Sequence, residues 1–460
     1  MSGPSLSREL AERAHALHGR LPDDVSQAAR LHLLDALGVG VAGSVRGPLR
    51  DLPAVAAAHP GGRSTVLGSG ATTTAPVAAL VNGSLIHSLE YDDTHVPSIV
   101  HGSSTVAAAA LAVAEEVGAG GDELLSAFAL GWEVLVRLGL ASPGTLQARG
   151  FQTTSALGPF AAALVSGLLH RDPVDTVVEA MGIAGSQAGG TFAFLADGDT
   201  IKAGQPAWAA HAGLWAAELA RGGMTGPERV LEGRLGFYEL YASDPGAAER
   251  LRGELADLGE RWHLPAAAFK LIPCCHFIHP FVEALGTVLD GGVATADVAS
   301  IHCFVPRGAA SIIAEPWEAR QSPASPHDAR WSLPYVLAGR VVDGRVGLDL
   351  FDAPVGGERL ELSRRITHEL WDDSGFPAVF PARLVVTTVS GSTVEASVDD
   401  VRGGAGRPVP PGEVVAKARA NLAEGAMAPD AADALVADLL HGDPPSVARI
   451  GALLRGRAAG

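Results

Sequence analysis

Near residue 265 the spacing of apolar residues changes, and that change constrains the fold more than any single motif. Before it, apolar residues recur three and four apart, the period of a helix with one buried face. Residues 7–18, 22–40 and 50–59 read this way, as do 75–92, 104–118, 121–140, 154–169, 173–187 and 206–222. Gly, Pro and Asp punctuate the gaps between them. Pro22 followed by Asp23 and Asp24 marks a helix start, with acid in the first turn where the helix dipole favours it. Several of these segments are apolar on nearly every face, as expected for central helices of a large bundle.

Beyond residue 265, β-branched residues cluster or alternate at 299–305, 383–389 and 393–398, which predicts strands. Helices are expected among them at 279–290, 331–340 and 360–369. The expected fold is mainly α with an α+β second domain. A large all-helical bundle domain covers 1–265 and is completed by 401–460; a smaller α/β lid domain covers 266–400. Residues 403–412, with three prolines and four glycines, read as a turn-rich return. Residues 413–458 read as helical again and dock on the first bundle. A length of 460 residues also favours two cores over one.

Composition narrows the partners. Net charge is −17 with no basic stripe, which argues against nucleic acid and membrane as partners. Apolar runs are broken by charge before they reach bilayer length. The opening residues carry no basic segment followed by an apolar one, so no export signal is expected. Cys274, Cys275 and Cys303 fit no structural zinc spacing, and no phosphate-cradling glycine loop occurs. The expectation is a cytoplasmic protein with reduced thiols, binding neither metal nor nucleotide.

Positive charge is distributed oddly. Lys and Arg together number 34, yet only Lys202, Lys270 and Lys417 are lysine. An ammonium group can lose its proton and can hold a carboxylate as a point charge, whereas guanidinium stays charged and forked. Lys202 lies in GDTIKAGQPAWAAHAG and Lys270 in AAFKLIPCCHFIHP, beside Cys275, His276 and His279. Lys417, in VVAKARAN, reads as an ordinary residue on a helix surface.

The densest polar run is His87-Ser-Leu-Glu90-Tyr91-Asp92-Asp93-Thr94-His95, with His101 beyond it. A helix continuing through it would place His87, Glu90 and Tyr91 on one face. The acids then fall at a helix C-terminus, which disfavours negative charge, so cationic partners are needed. A metal site from His95, His101 and the two aspartates matches no defined ligand spacing, and a solvated acidic loop is the plain alternative.

These blocks, in this order, resemble the MmgE/PrpD family, whose members include 2-methylcitrate dehydratase, cis-aconitate decarboxylase and iminodisuccinate epimerase. The resemblance is carried by NGSLIHSLEYDDTH (82–95) with His101-Gly-Ser-Ser, DTIKAGQPAWAAHAGLWAAELA (199–220), TGPERVLEGRLGF (225–237), FKLIPCCHFIHP (269–280) and EPWEARQSPASPHDARWSLPYVLAGRVVDG (315–344). It implies a site in the cleft between a helical domain and a lid, a homodimer, a small-molecule carboxylate substrate, and no metal or organic cofactor. Position by position it implies site roles for Glu90, Thr94, His101, Lys202, Lys270 and Tyr335.

Gln152 and Gln205 stand where histidine is common in the family, as does Cys275 with His276 beside it, and Gly102 stands where proline is frequent. The family chemistries share a carbanion formed beside a carboxylate, which needs cations for the developing charge and an acid or base on a defined face. On this resemblance Lys202 and Lys270 supply the positive field and His101 moves the proton. Asp93 and Glu90 orient them, while Tyr335, Thr94, Gln152, Cys275 and His276 contact substrate. The leading expectation is a lyase that removes water from a hydroxy-di- or tricarboxylate. The alternatives are epimerisation, isomerisation or decarboxylation of a dicarboxylate or a less acidic substrate, and then a non-catalytic binding protein.

Overall fold

The computed structural model describes residues 3–196, 198–442 and 444–456. Its first core is a stack of long helices. Ala75–His87 and Thr153–His170 flank Ile201–Arg221, and Gly102–Val117 and Gly121–Leu140 close the other side. Small residues permit this spacing. A Cβ on Gly83 would come within 2.5 Å of the Ser104 carbonyl, and one on Gly213 equally close to that of Pro159. Large side chains such as Trp132, Phe128 and Phe160 fill the remaining space and are wholly buried.

Asp23–Arg46 packs against Ala75–His87 on one side and against the C-terminal helix Pro411–Glu424 on the other. It is the one helix among the described residues long and apolar enough to cross a membrane, and most of it is buried in this core. Pro429–His441 and Val447–Arg455 continue the C-terminal segment. Residues 457 and 458 of the expected helical stretch lie outside the described residues.

The second core surrounds a four-stranded sheet. Val298–Pro306 is central, parallel to Ile366–Trp371 and antiparallel to Ala382–Thr388, which pairs in turn with Thr393–Val398. His279–Asp290 lies across the last two strands. Ile301, Cys303, Val305, Leu384 and Val386 meet Phe281 and Leu285 from that helix.

Several boundaries differ from the sequence reading, each for a physical reason. The helix expected from 206 begins at Ile201, because Pro206 sits inside it instead of opening it. A proline there forfeits one early backbone bond, which packing against four neighbouring helices offsets. The helix expected over 360–369 stops at Ser363, and Ile366–Trp371 is a strand. Only Ile366 of that strand is fully buried, so its alternation of apolar residues is weak. The helix expected over 75–92 ends at His87. Lys417 is not on a surface: its ammonium is buried against both oxygens of Asp35 at 2.9 Å.

Among the links between the cores, two engage the backbone next to the polar run. Thr94 and Ala268 form an isolated antiparallel bridge, with backbone bonds of 2.9 and 2.7 Å. Arg330, buried in the lid, donates from Nη1 to the carbonyls of Leu89 at 2.7 Å and Pro273 at 2.8 Å. Leu89 belongs to the bundle and Pro273 to the lid, so one guanidinium ties both to the same place.

Candidate active site

The site grows from the break after His87. Glu90 adopts φ +52°, the left-handed region that non-glycine residues seldom occupy. The turn redirects the chain into an irregular segment, bent at Asp92, that runs to Thr94. Glu90 and Thr94 face the lid and line a pocket there, and Asp92 faces Lys270 beside it. The Tyr91 ring lies beside Lys417 with its hydroxyl donating to the Leu271 carbonyl of the lid, and Asp93 turns back to His32 in the bundle.

Glu90 is almost fully buried and is gripped from both sides. Lys202, from the first turn of its helix, bonds Oε1, and Lys270 lies 3.5 Å from Oε2. Lys270 also lies 3.7 Å from Asp92 Oδ1, and Asp92 Oδ2 accepts from His87 Nδ1 at 2.7 Å. Burial alone would push both acids up. Lys202 and Lys270 reverse that for Glu90, as His87 and Lys270 do for Asp92, so both sit well below the usual carboxylate range. The two lysines part company. Burial pulls Lys202 below its ordinary value and Glu90 only partly offsets it. For Lys270, Glu90 and Asp92 together outweigh burial and hold it above.

His101 forms the opposite wall. Its Nδ1 lies 2.9 Å from Thr94 Oγ1 and 3.2 Å from the carbonyl oxygen of Asp93. A carbonyl only accepts, so Nδ1 carries the proton and Nε2 keeps a free lone pair. Burial, helped by Lys270, holds the ring well below the usual histidine value, and it is therefore neutral. The His87 ring stands beside it, centroids 5.1 Å apart. Gln152 Nε2 reaches His87 Nε2 at 3.4 Å, leaving its own carbonyl oxygen buried and unpaired.

Helix starts surround the pocket. His101 caps Gly102–Val117, Gln152 caps Thr153–His170, and Lys202 lies one residue inside Ile201–Arg221. Each start presents unpaired N–H groups and the positive end of a helix dipole. From the lid come Cys275, His276 and Trp331. Burial, then the charge on Glu90, pushes the Cys275 thiol up to about 11, so it is a neutral wall. His276 is buried with both ring nitrogens unpaired, and burial, then His279, holds it neutral. Trp331 lies beneath the Lys202 ammonium, 5.5 Å from its ring centre.

Of the residues singled out from sequence, Glu90, Thr94, His101, Gln152, Lys202, Cys275 and His276 line this pocket, and Lys270 stands directly behind Glu90. Two do not reach it. The Asp93 carboxylate turns away to His32 Nδ1 at 2.7 Å and Ser103 Oγ at 2.5 Å, leaving only its backbone carbonyl on His101. Tyr335 is buried in the lid beside the Arg359 guanidinium, because its helix presents that face to the lid core. Asp92 takes the place assigned to Asp93. The bend at Asp92 that turns its carboxylate toward Lys270 left no local signal in the sequence. His87 as the partner of Asp92, and Arg330 as the inter-domain tie, left no comparable trace. His95 bonds Ser98, and among the described residues no three His, Cys, Asp or Glu side chains stand at ligating positions for a metal ion.

Known proteins share this framework. A family model described as the MmgE/PrpD N-terminal domain matches residues 8–250, and one described as the MmgE/PrpD C-terminal domain matches 272–441. The chain is 30% identical over 399 residues to the cis-aconitate decarboxylase-like protein oryM of Aspergillus oryzae, spanning 82% of each. It is 29% identical over 403 residues to the cis-aconitate decarboxylase of Aspergillus terreus, spanning 82% of this chain and 81% of the relative. With the human cis-aconitate decarboxylase it shares 29% over 355 residues, 75% of this chain and 72% of the relative.

Proposed function

This chain belongs to the MmgE/PrpD family, and on that premise we propose that it is a lyase that expels carbon dioxide from an unsaturated carboxylic acid. One observation carries the reading. A single carboxylate, Glu90, occupies both site ammonium groups, at the edge of a pocket whose other wall holds a neutral imidazole. A substrate carboxylate can take over Lys202 there, and charge that develops on it during reaction meets cations already in place.

In the proposed step, the electron pair of the breaking carbon–carbon bond moves through the neighbouring double bond into the carboxylate at Lys202. Carbon dioxide leaves, and a proton from the enzyme quenches the carbanion. Lys202 is the favoured donor, because burial weakens its hold on a proton. It is recharged from solvent in the next cycle. The names of the relatives support this choice of leaving group.

A second reading, loss of water from a hydroxy acid, is favoured by the free lone pair on His101 Nε2. That reaction begins with proton removal, which a neutral base can perform in the resting enzyme. The two are separated by incubating the protein in deuterium oxide with glutaconate, cis-aconitate and 2-methylcitrate. Released carbon dioxide with one carbon-bound deuterium in the product supports decarboxylation; water loss with no carbon dioxide supports the second reading. Inactivity on every acid tested would remove both.

A further inference from the structure

The pocket is built for less charge than a tricarboxylate brings. Its ammonium groups, Lys202 and Lys270, are matched one for one by Glu90 and Asp92, and no arginine lines it among the described residues. The nearest guanidinium, Arg330, is committed to two backbone carbonyls. The helix starts at Gly102, Thr153 and Ile201 add about half a positive charge each, less in total than the charge of a tricarboxylate.

Much of the remaining wall is apolar. Ile99, Phe192, Phe194, Phe277, Ile312 and Trp331 line it, drawn from both domains. Ile99 is the telling member. It holds φ +53°, a conformation that a β-branched side chain strongly resists. Its loop is already pinned by the paired backbone of His95 and Val100. A strained isoleucine at a pocket wall points to a hydrophobic contact that the site depends on.

We infer that the substrate is a diacid bearing an apolar substituent of several carbons where a tricarboxylate would carry its third charge. In decarboxylation the class is a 3-substituted glutaconate: one carboxylate conjugated to the double bond and held at Lys202, the other leaving as carbon dioxide. What reacts rests on the lyase reading; what binds does not.

Saturated analogues separate the two. Binding of 3-methyl-, 3-propyl- and 3-hexylglutarate is measured by calorimetry against tricarballylate, which is 3-carboxyglutarate and equally unable to decarboxylate. Affinity should rise about fourfold for each methylene that fits the wall, and 3-hexylglutarate should bind at least about tenfold tighter than tricarballylate. Ile312→Glu should remove most of that advantage. Tighter binding of tricarballylate, affinity flat with chain length, or indifference to Ile312→Glu would each overturn the inference. Turnover of 3-hexylglutaconate is scored separately: selective binding of the glutarates without turnover would defeat the lyase reading and leave this inference standing.

Discussion

Lys417 donates to the backbone carbonyl of Tyr91 at 2.8 Å, so the third lysine of the chain also bears on the run from Glu90 to Asp92. Lys202 holds Glu90, Lys270 holds Glu90 and Asp92, and Lys417 holds the peptide between them. The third contact comes from the far end of the chain. It makes the C-terminal helix part of the scaffold that fixes the site loop.

Lys417→Met leaves Asp35 buried and unpaired, and should destabilise the protein by ~3–5 kcal/mol. Asp35→Asn combined with Lys417→Met should recover most of that loss, because no charge is then stranded. Denaturant unfolding of the single and double variants measures both. Equal stability of Lys417→Met and the parent would show that the pair is not buried as described.

His101→Gln removes the neutral imidazole from the pocket wall but keeps a hydrogen-bonding side chain. Where proton transfer passes through His101, kcat should fall ~10²–10⁴-fold with ligand binding little changed. A fall in affinity alone would reassign His101 to binding.

The pH dependence of kcat/KM should lack a limb near the usual histidine value of 6.5, because His101 is held neutral well below it. Its alkaline limb should lie below the ordinary lysine value of 10.5, because burial lowers Lys202. Lys202→Arg should abolish that limb, and activity with it if Lys202 is the proton donor. A profile of Lys202→Arg matching the parent would exclude both roles.

Glu90 and Asp92 titrate below their ordinary values of 4.5 and 3.8 in the folded protein. The unfolded chain therefore binds protons first as pH falls. Their stabilisation is complete above the ordinary values and is lost as pH drops through the depressed ones. The stability gap between the parent and Glu90→Gln should be wide at neutral pH and shrink steadily as pH falls below the ordinary value of 4.5. A gap independent of pH would deny that Glu90 is charged at neutral pH.

Arg330→Met strands the carbonyls of Leu89 and Pro273, each at ~1–3 kcal/mol. Because one carbonyl adjoins Glu90 and the other adjoins Cys274, stability and kcat should fall together. Loss of stability with kcat unchanged would confine Arg330 to a structural role.

Local signals in the chain settled a good deal. The three-to-four spacing gave the bundle helices, and His279–Asp290 and Thr393–Val398 fall where the pattern of apolar residues places them. The scarcity of lysine directed attention to Lys202 and Lys270, since an amine kept amid arginine is a choice about charge. The acids after His87 required cations, whatever the fold. Each of these depends on residue type and near-neighbour spacing alone.

Tertiary structure decided the rest. Pro206 and Pro159 lie inside helices that only packing makes tolerable, and Ile366–Trp371 became a strand because Val298–Pro306 was there to pair with it. Asp92 rather than Asp93 faces Lys270 because the left-handed turn at Glu90 and the bend at Asp92 aim it there. Tyr335 was drawn into the lid core, and Lys417 into the bundle, by contacts with residues far away in the chain. Direction and burial are properties of what surrounds a side chain. A sequence names the groups available for chemistry, but which of two adjacent carboxylates meets an ammonium is fixed only when segments from the whole chain close around it.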